Sequence, residues 1–496
     1  MAEQPEAGVQ FGVFNETTEH ERRVALTPDI VARLRKKGVG CLIEQGAGLA
    51  AQYTDADYER AGARVCDRQT VLATCDAFGF VSRPDATLVT AMRPGQWVIG
   101  MLGSFTDDAY IASLAQAGLT AVAIERLPRQ LSAAQSMDEM TSQNSVMGYK
   151  AALVAANAYQ AFLPMMTTAA GTIRPAKVLV LGAGIAGLQA IGTARRLGAV
   201  VTAYDVRPAS KGEVESLGAK FLDLGLDFSA GQGQGGYARQ LTKEEQAAQQ
   251  AAVDEKAAQF DIVITTAKVP GRKPPMLLTA AGVKALHRGA VIVDCAASDL
   301  GGNVEGSVVG TQVTEGGVTI IGAPYLASDV ANTASNLLSR NVADVLSHFV
   351  RDGRLRTVAG DELDDALVVA GLEASATEES GKKGECLMDP LVVSITLFVL
   401  ALLIGVEVIG KVPATLHTPL MSGANSIHGI VIVGVVIVAA QANSPLAYVF
   451  MFLAAVLGTM NVVGGYVVTD RMLEMFKSSK PAKSADDSDA DEEAGK

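Results

Sequence analysis

The stretch that decides the fold is Val178–Asp205, VLVLGAGIAGLQAIGTARRLGAVVTAYD. An apolar run enters Gly182-x-Gly184-x-x-Gly187, helical periodicity follows, a second apolar run comes next, and an acid closes the unit at Asp205. Strand, glycine turn, helix and strand in that order make the βαβ unit of a dinucleotide-binding domain. Gly182 makes the tight turn, Gly184 lets backbone N–H groups approach a pyrophosphate, and Gly187 allows close helix–strand packing. Ala183, Ile185 and Ala186 complete the turn, and the helix N-terminus is the anion site. A carboxylate at Asp205 accepts hydrogen bonds from the adenosine ribose hydroxyls and repels a 2′-phosphate, so NAD(H) is expected and NADP(H) disfavoured. Val206 follows, and then Arg207, which keeps an NADP(H) reading open.

Working outward, the pattern before this unit is also alternating strand and helix. VQFGVFN, CLIEQG, DAFGFV, QWVIGML and LTAVAIE are short apolar runs separated by helical periodicity such as TPDIVARLRKKG. That alternation predicts a parallel sheet covered on both faces. Downstream, DIVITTA, AVIVDCA and VTIIGA continue the second sheet to about Pro324. The expected fold class is therefore α/β: two Rossmann-like lobes with parallel sheets, followed by three transmembrane helices. Residues 1–145 form the first lobe, with helix 328–350 returning to it, and 146–327 form the NAD-binding lobe. Residues 352–388 lose periodicity, are acidic and contain Gly and Ser, as a linker does.

Three apolar segments follow within 389–470: Pro390–Gly410, a run around Ile427–Ala440, and Leu446–Val468. The first and third have about the 20 residues that a bilayer's hydrocarbon core requires. Gly429 and Gly434 permit close packing of the shorter middle one. Residues 477–496 read as a disordered charged tail.

Composition narrows the function classes. The 496 residues carry a formal net charge of −12 and show no basic stripe, which argues against a nucleic-acid partner. Five cysteines without a CxxC give neither a disulfide framework nor a zinc site, and no metal is expected. MAEQPEAGVQFG lacks a basic start followed by an apolar core, so no secretory signal is expected. The second polar constellation is Leu127–Ser145, LPRQLSAAQSMDEMTSQNS, where Arg129, Gln135 and Asp138 crowd the approach to a long helix. On the residues alone, Ser136 or Asp138 is also an N-cap for that helix.

The runs ERRVALTP (Glu21–Pro28), AQSMD, TAAGTIRPAKVLVLGAGIAGLQAIGTARRLGAVV, GGYA (Gly235–Ala238), TTAKVPG and LHTPLMSGANSI together closely resemble the alpha subunit of the proton-translocating NAD(P)+ transhydrogenase. This resemblance spans Val9 to Phe476. It implies that Arg129, Gln135 and Asp138 lie against the NAD(H) nicotinamide and orient it toward NADP(H) on a beta partner. It implies a mobile loop carrying Gly236 and Tyr237 that closes over the nucleotide, and a cofactor-side loop at Ala267 and Lys268. It further implies a homodimeric soluble part, contact with membrane lipid, and a cytoplasmic (inner) membrane location with the NAD domain in the cytoplasm.

The family is related to alanine dehydrogenase, whose members need a lysine and a histidine in the first domain to bind and deprotonate the amino acid. Between Asp76 and Glu125 this chain has neither. Hydride transfer between two nicotinamides needs no such acid–base group, only positioning. Two rivals stand beside the transhydrogenase reading: a membrane-anchored alanine-dehydrogenase-like enzyme, and a non-catalytic NAD sensor.

The membrane segments hold few polar candidates: Glu407, His428 and Asn461. The resemblance puts the proton relay mainly in the partner. Lys411, Arg471, Lys477, Lys480 and Lys483 outweigh Lys382 and Lys383, so the positive-inside rule places the tail in the cytoplasm. With three spans this would set the NAD domain outside. Either Met388 starts a separate chain, or the orientation is reversed.

Overall fold

The computed structural model describes residues 8–225, 241–268, 272–298, 301–358, 360–371, 452–460 and 463. The chain divides into two units, Met1–Thr377 and Glu378–Lys496. In the first unit, one lobe is built on β1 (Val9–Val13), β2 (Val39–Glu44), β3 (Arg64–Cys66), β4 (Ala77–Gly79), β5 (Trp97–Gly100) and β6 (Thr120–Ala123). A hairpin of β7 (Met166–Thr168) and β8 (Gly171–Ile173) precedes the second lobe. That lobe holds β9 (Lys177–Leu181), β10 (Val200–Tyr204), β11 (Lys220–Phe221), β12 (Ile262–Thr265), β13 (Val291–Asp294), β14 (Gly310–Val313) and β15 (Thr319–Gly322). Three short strands complete the unit: β16 (Val350–Arg351), β17 (Arg354–Leu355) and β18 (Val368–Ala370).

The first sheet runs β18-β6-β5-β4-β1-β2-β3 and the second β11-β10-β9-β12-β13-β15-β14. Their inner pairings are parallel, as expected; β14 on β15 and β18 on β6 are antiparallel edges. Only the short turn around Thr314–Val318 joins β14 to β15, too few residues for the crossover a parallel pair needs. Strands β12 and β13 are buried along their whole length, which is why they read as unbroken apolar runs instead of alternating ones. In each sheet the strand order reverses at one place, between β1 and β4 and between β9 and β12. Open α/β sheets bind ligands beyond the carboxyl ends of the strands at such a point.

Two long helices tie the lobes together. The helix Glu139–Ala158 leaves the first lobe and lies on the helix Ile185–Arg196 of the second. Gly148 makes this possible, since a Cβ there would sit 2.0 Å from the carbonyl oxygen of Ala186. The helix Ala331–Phe349 comes back to the first lobe, burying Leu338, Val342, Val345, Leu346 and Phe349 in its core. Its polar face is also used: Ser335 Oγ accepts from Val24 N–H, and Ser339 Oγ from Thr27 N–H, both at 3.0 Å. Those bonds satisfy buried backbone donors of the ERRVALTP segment, which has no strand partner there.

The acidic stretch from Asp352 departs from the linker expectation. Arg354–Leu355 pairs with β16, a helix spans Glu362–Leu367, and β18 extends the first sheet. The reason is that its acids have local partners. Asp361 caps the short helix, Asp364 meets His348 at 2.5 Å, and Leu363 and Leu367 are buried. Residues 372–388, the first two expected spans and all of the third but 452–460 and 463, with Glu407, His428 and Asn461, lie outside the described residues. Residues 452–460 are helical. Among the described residues, no helix is long and apolar enough to cross a membrane.

Candidate active site

The glycine turn after β9 is shaped as its spacing predicts. Gly182 has φ +98°, a left-handed conformation that glycine adopts without steric cost. Its N–H donates to Tyr204 O at 2.8 Å, and its carbonyl accepts from Thr266 Oγ1 at 2.9 Å. A Cβ on Gly187 would stand 1.8 Å from Gly182 O, so no side chain fits there. A Cβ on Gly184 would meet nothing within 4 Å, because it would project into the cavity. The helix's first hydrogen bond runs from Leu188 N to Gly184 O at 2.8 Å, leaving the preceding amides and the positive helix end for an anion.

The cavity in front of this turn measures about 1040 Å³, at the upper end of the range for small-molecule sites and roomy enough for a dinucleotide. Gly182, Ala183, Gly184, Ile185 and Ala186 line it, as do Asp205, Val206, Arg207, Ala267 and Lys268. Asp205 sits at the tip of β10. Its carboxylate accepts from Ala183 N at 2.8 Å and from Arg207 N at 2.9 Å, and an ion pair with the Arg207 guanidinium is set at 2.9 Å. The cavity thus holds the Asp205 carboxylate at the tip of β10, an open glycine turn, and Lys268, Arg272 and Lys273 on the wall. These fit a pyridine dinucleotide.

Three lining or supporting residues carry no signal that sequence patterns expose. Asn144 and Met147, one helical turn apart on Glu139–Ala158, face the cavity from across the cleft. Their spacing is visible in the sequence, but which face points at the pocket is set by the Gly148 contact. Asn303 is fully buried and clamps the loop after β12: Ala267 N donates to its Oδ1 at 3.0 Å, and its Nδ2 donates to Ala267 O at 2.8 Å and Pro275 O at 2.7 Å. No local pattern marks it, since its partners are about 30 residues away.

The Leu127–Ser145 constellation is brought together in part. Arg129 lines the cavity and pairs with Asp138 at 3.3 Å. Asp138 also caps the long helix, accepting from Thr141 N at 2.9 Å and Thr141 Oγ1 at 2.6 Å. Gln135 lies on the short 3-10 helix Ser132–Met137 and is not among the residues lining the cavity. Gly236 and Tyr237 lie outside the described residues.

The first lobe presents a different site at the equivalent strand ends. Glu16, after β1, accepts from Val81 N at 2.7 Å, and Glu125, after β6, accepts from Leu102 N at 3.1 Å and Ser104 N at 2.7 Å. Glu21 takes Arg23 Nε at 2.8 Å and Nη2 at 2.7 Å, and Arg23 Nη1 donates to Gln143 Oε1 at 2.9 Å. Burial raises Glu16 to about 7 and Glu139, which is fully enclosed, to about 8; neighbouring carboxylates add to both. Burial also pushes Glu21 upward, but Arg23 outweighs it and leaves the acid below its ordinary value. The amides of Val81, Leu102 and Ser104, which could otherwise hold a substrate carboxylate, are taken by side chains of the lobe itself.

The comparisons with known proteins agree with this geometry. Residues 12–147 match the family model for the alanine dehydrogenase/PNT N-terminal domain, and 151–375 that for its C-terminal domain. Residues 394–478 match the 4TM region of pyridine nucleotide transhydrogenase. The NAD(P) transhydrogenase subunit alpha of Cereibacter sphaeroides is 35% identical over 95% of this chain and 100% of its own length. The NAD(P) transhydrogenase subunit alpha of Haemophilus influenzae is 33% identical over 94% of this chain and 99% of its own. The crystal structure of transhydrogenase from Sinorhizobium meliloti superposes with a TM-score of 0.63 at 40% identity, covering 73% of this chain and 97% of that one. The chain belongs to the family of NAD(P) transhydrogenase alpha subunits.

Proposed function

We propose that this chain binds NAD(H) in the second-lobe cavity and presents its nicotinamide to an NADP(H) held by a beta partner, hydride transfer being coupled to proton movement across the membrane. The single observation that carries this reading is the pairing of an open dinucleotide cavity with a first lobe whose strand-end amides are already occupied by its own carboxylates. The dinucleotide supplies the hydride. Asp205 holds the adenosine ribose, the amides after Gly184 hold the pyrophosphate, and Arg129 with Asp138 orients the nicotinamide end from across the cleft. Gln135 lies against the nicotinamide, and a loop carrying Gly236 and Tyr237 closes over the nucleotide. Ala267, clamped by Asn303, and Lys268 beside it form the floor.

A proton moving down its gradient releases about 2.3 kcal/mol per 100 mV, which supplies the drive that two nearly isoenergetic nicotinamides lack. The match of residues 394–478 to the 4TM region supports a location in the cytoplasmic membrane, and the NAD domain is placed on the cytoplasmic side because that is where NADH is, against the three-span charge count. A second copy of the soluble part is supported by the β7–β8 hairpin, whose residues are exposed and apolar at Met166 and Ile173, beside exposed Phe162 and Met165. An isolated two-stranded hairpin is marginal in water and gains stability by packing against another surface.

Membranes containing both chains test the reading. NADH should reduce an NADP analogue, faster under a proton gradient, and pyruvate with ammonia should leave NADH unconsumed. Oxidation of NADH by pyruvate and ammonia, with the NADP analogue untouched, would overturn it.

A further inference from the structure

Asp205 has no acceptor position left for a ribose while Arg207 holds it. Oδ1 accepts from Arg207 N and Nε, each at 2.9 Å; Oδ2 accepts from Ala183 N at 2.8 Å and Arg207 Nη2 at 3.1 Å. A carboxylate offers about four lone-pair sites, so all are in use. Two of the four donors are backbone amides fixed by the turn. The other two belong to one guanidinium at the end of a flexible side chain on the cavity wall. A ribose diol that donates both hydroxyls to Asp205 must take the places of Nε and Nη2.

We propose that Arg207 is the specificity-determining residue of this pocket: its guanidinium competes with the ribose diol of NAD(H) for Asp205, and pairs with the 2′-phosphate of NADP(H), so that it narrows the preference between the two. Both effects follow from one position. Paired with Asp205, Arg207 cancels the negative charge that would repel a 2′-phosphate, and its planar fork matches phosphate oxygens. Against an unphosphorylated ribose the same pairing must first be broken, which weakens binding. The proposal rests on the reading of the cavity as the NAD(H) site, and the opposite signs of the two effects separate it from a merely structural role.

The test is titration of the full-length chain, purified in detergent without its partner, with NADH and with NADPH, for the wild type, Arg207→Met and Arg207→Lys. The expected result for Arg207→Met is NADH binding tighter by about three- to tenfold and NADPH binding weaker by at least as much, each the scale of one ordinary net hydrogen bond. Arg207→Lys, which keeps the charge but loses the fork, should fall between the two, and it carries the same test if the methionine variant does not fold. NADH binding that is unchanged or weakened in both variants would overturn the proposal while leaving the pocket assignment in place. Failure of the wild type to bind NADH would remove both.

Discussion

The two lobes share one architecture and put it to opposite uses. Each is a mostly parallel sheet whose parallel strands reverse their order once. In the second lobe the turn after β9 is all small residues, its leading amides are uncommitted within the helix, and a cavity of about 1040 Å³ opens in front of it. In the first lobe the loops after β4 and β5 give their amides to Glu16 and Glu125, and Arg23 is closed by Glu21 and Gln143. A sheet end becomes a binding site when its backbone donors are left for a ligand; when the chain's own carboxylates take them, it becomes a wall. In the first lobe the amides of Val81, Leu102 and Ser104 are closed in this way.

That comparison breaks most severely at Gly187. Gly187→Ala places a methyl 1.8 Å from the carbonyl oxygen of Gly182, which neither helix nor strand can yield cheaply. The expected outcome is loss of measurable NADH binding and destabilisation of about 3 kcal/mol or more, read by titration and thermal unfolding. In the wall, Glu125→Ala strips the acceptor from two buried amides, Leu102 N and Ser104 N. It should cost about 2–4 kcal/mol of stability and leave NADH affinity nearly unchanged, as two unsatisfied buried donors that do not line the cavity. In the pocket, Asp205→Asn should do the reverse, weakening NADH binding about 10- to 100-fold with a modest change in unfolding temperature.

The smallest effect is a slope. Glu139 has its folded pKa raised from 4.5 to about 8, so the folded state binds more protons than the unfolded state between those values. Its contribution is fully present below pH 4.5 and is lost as pH rises to about 8, above which it is flat. Glu16, raised to about 7, behaves the same way over a lower range. Glu139→Gln should therefore flatten the decline in unfolding temperature on the approach to pH 8, where Glu16 no longer contributes a slope. Parallel curves throughout would show that Glu139 is not the titrating group.

What was legible in the sequence was what a contiguous stretch encodes. Gly182, Gly184 and Gly187 each owe their identity to a local backbone requirement, and Asp205 closes the same βαβ unit, so spacing alone located the pocket. Asp138 was legible only as a pair of alternatives, because one carboxylate both caps a helix and meets Arg129. Asn144, Met147 and Asn303 were not legible, since tertiary packing alone brings them to the cavity. The acids after Asp352 misled for a related reason: charge density looks like a solvated linker until Asp361 caps a helix and Asp364 meets His348, 16 residues earlier. The closed first lobe was readable only as a lack of lysine and histidine; that its amides are occupied is a property of the folded chain.

The most direct measurement follows the hydrogen itself. NADH carrying deuterium at the transferable C4 position, given to membranes with both chains and NADP+, should yield NADPH that carries the label, with none lost to water. Direct passage from one nicotinamide to the other exposes the deuteride to no exchanging group. Recovery of the deuterium in solvent, or in an amino acid formed from added pyruvate and ammonia, would contradict that transfer.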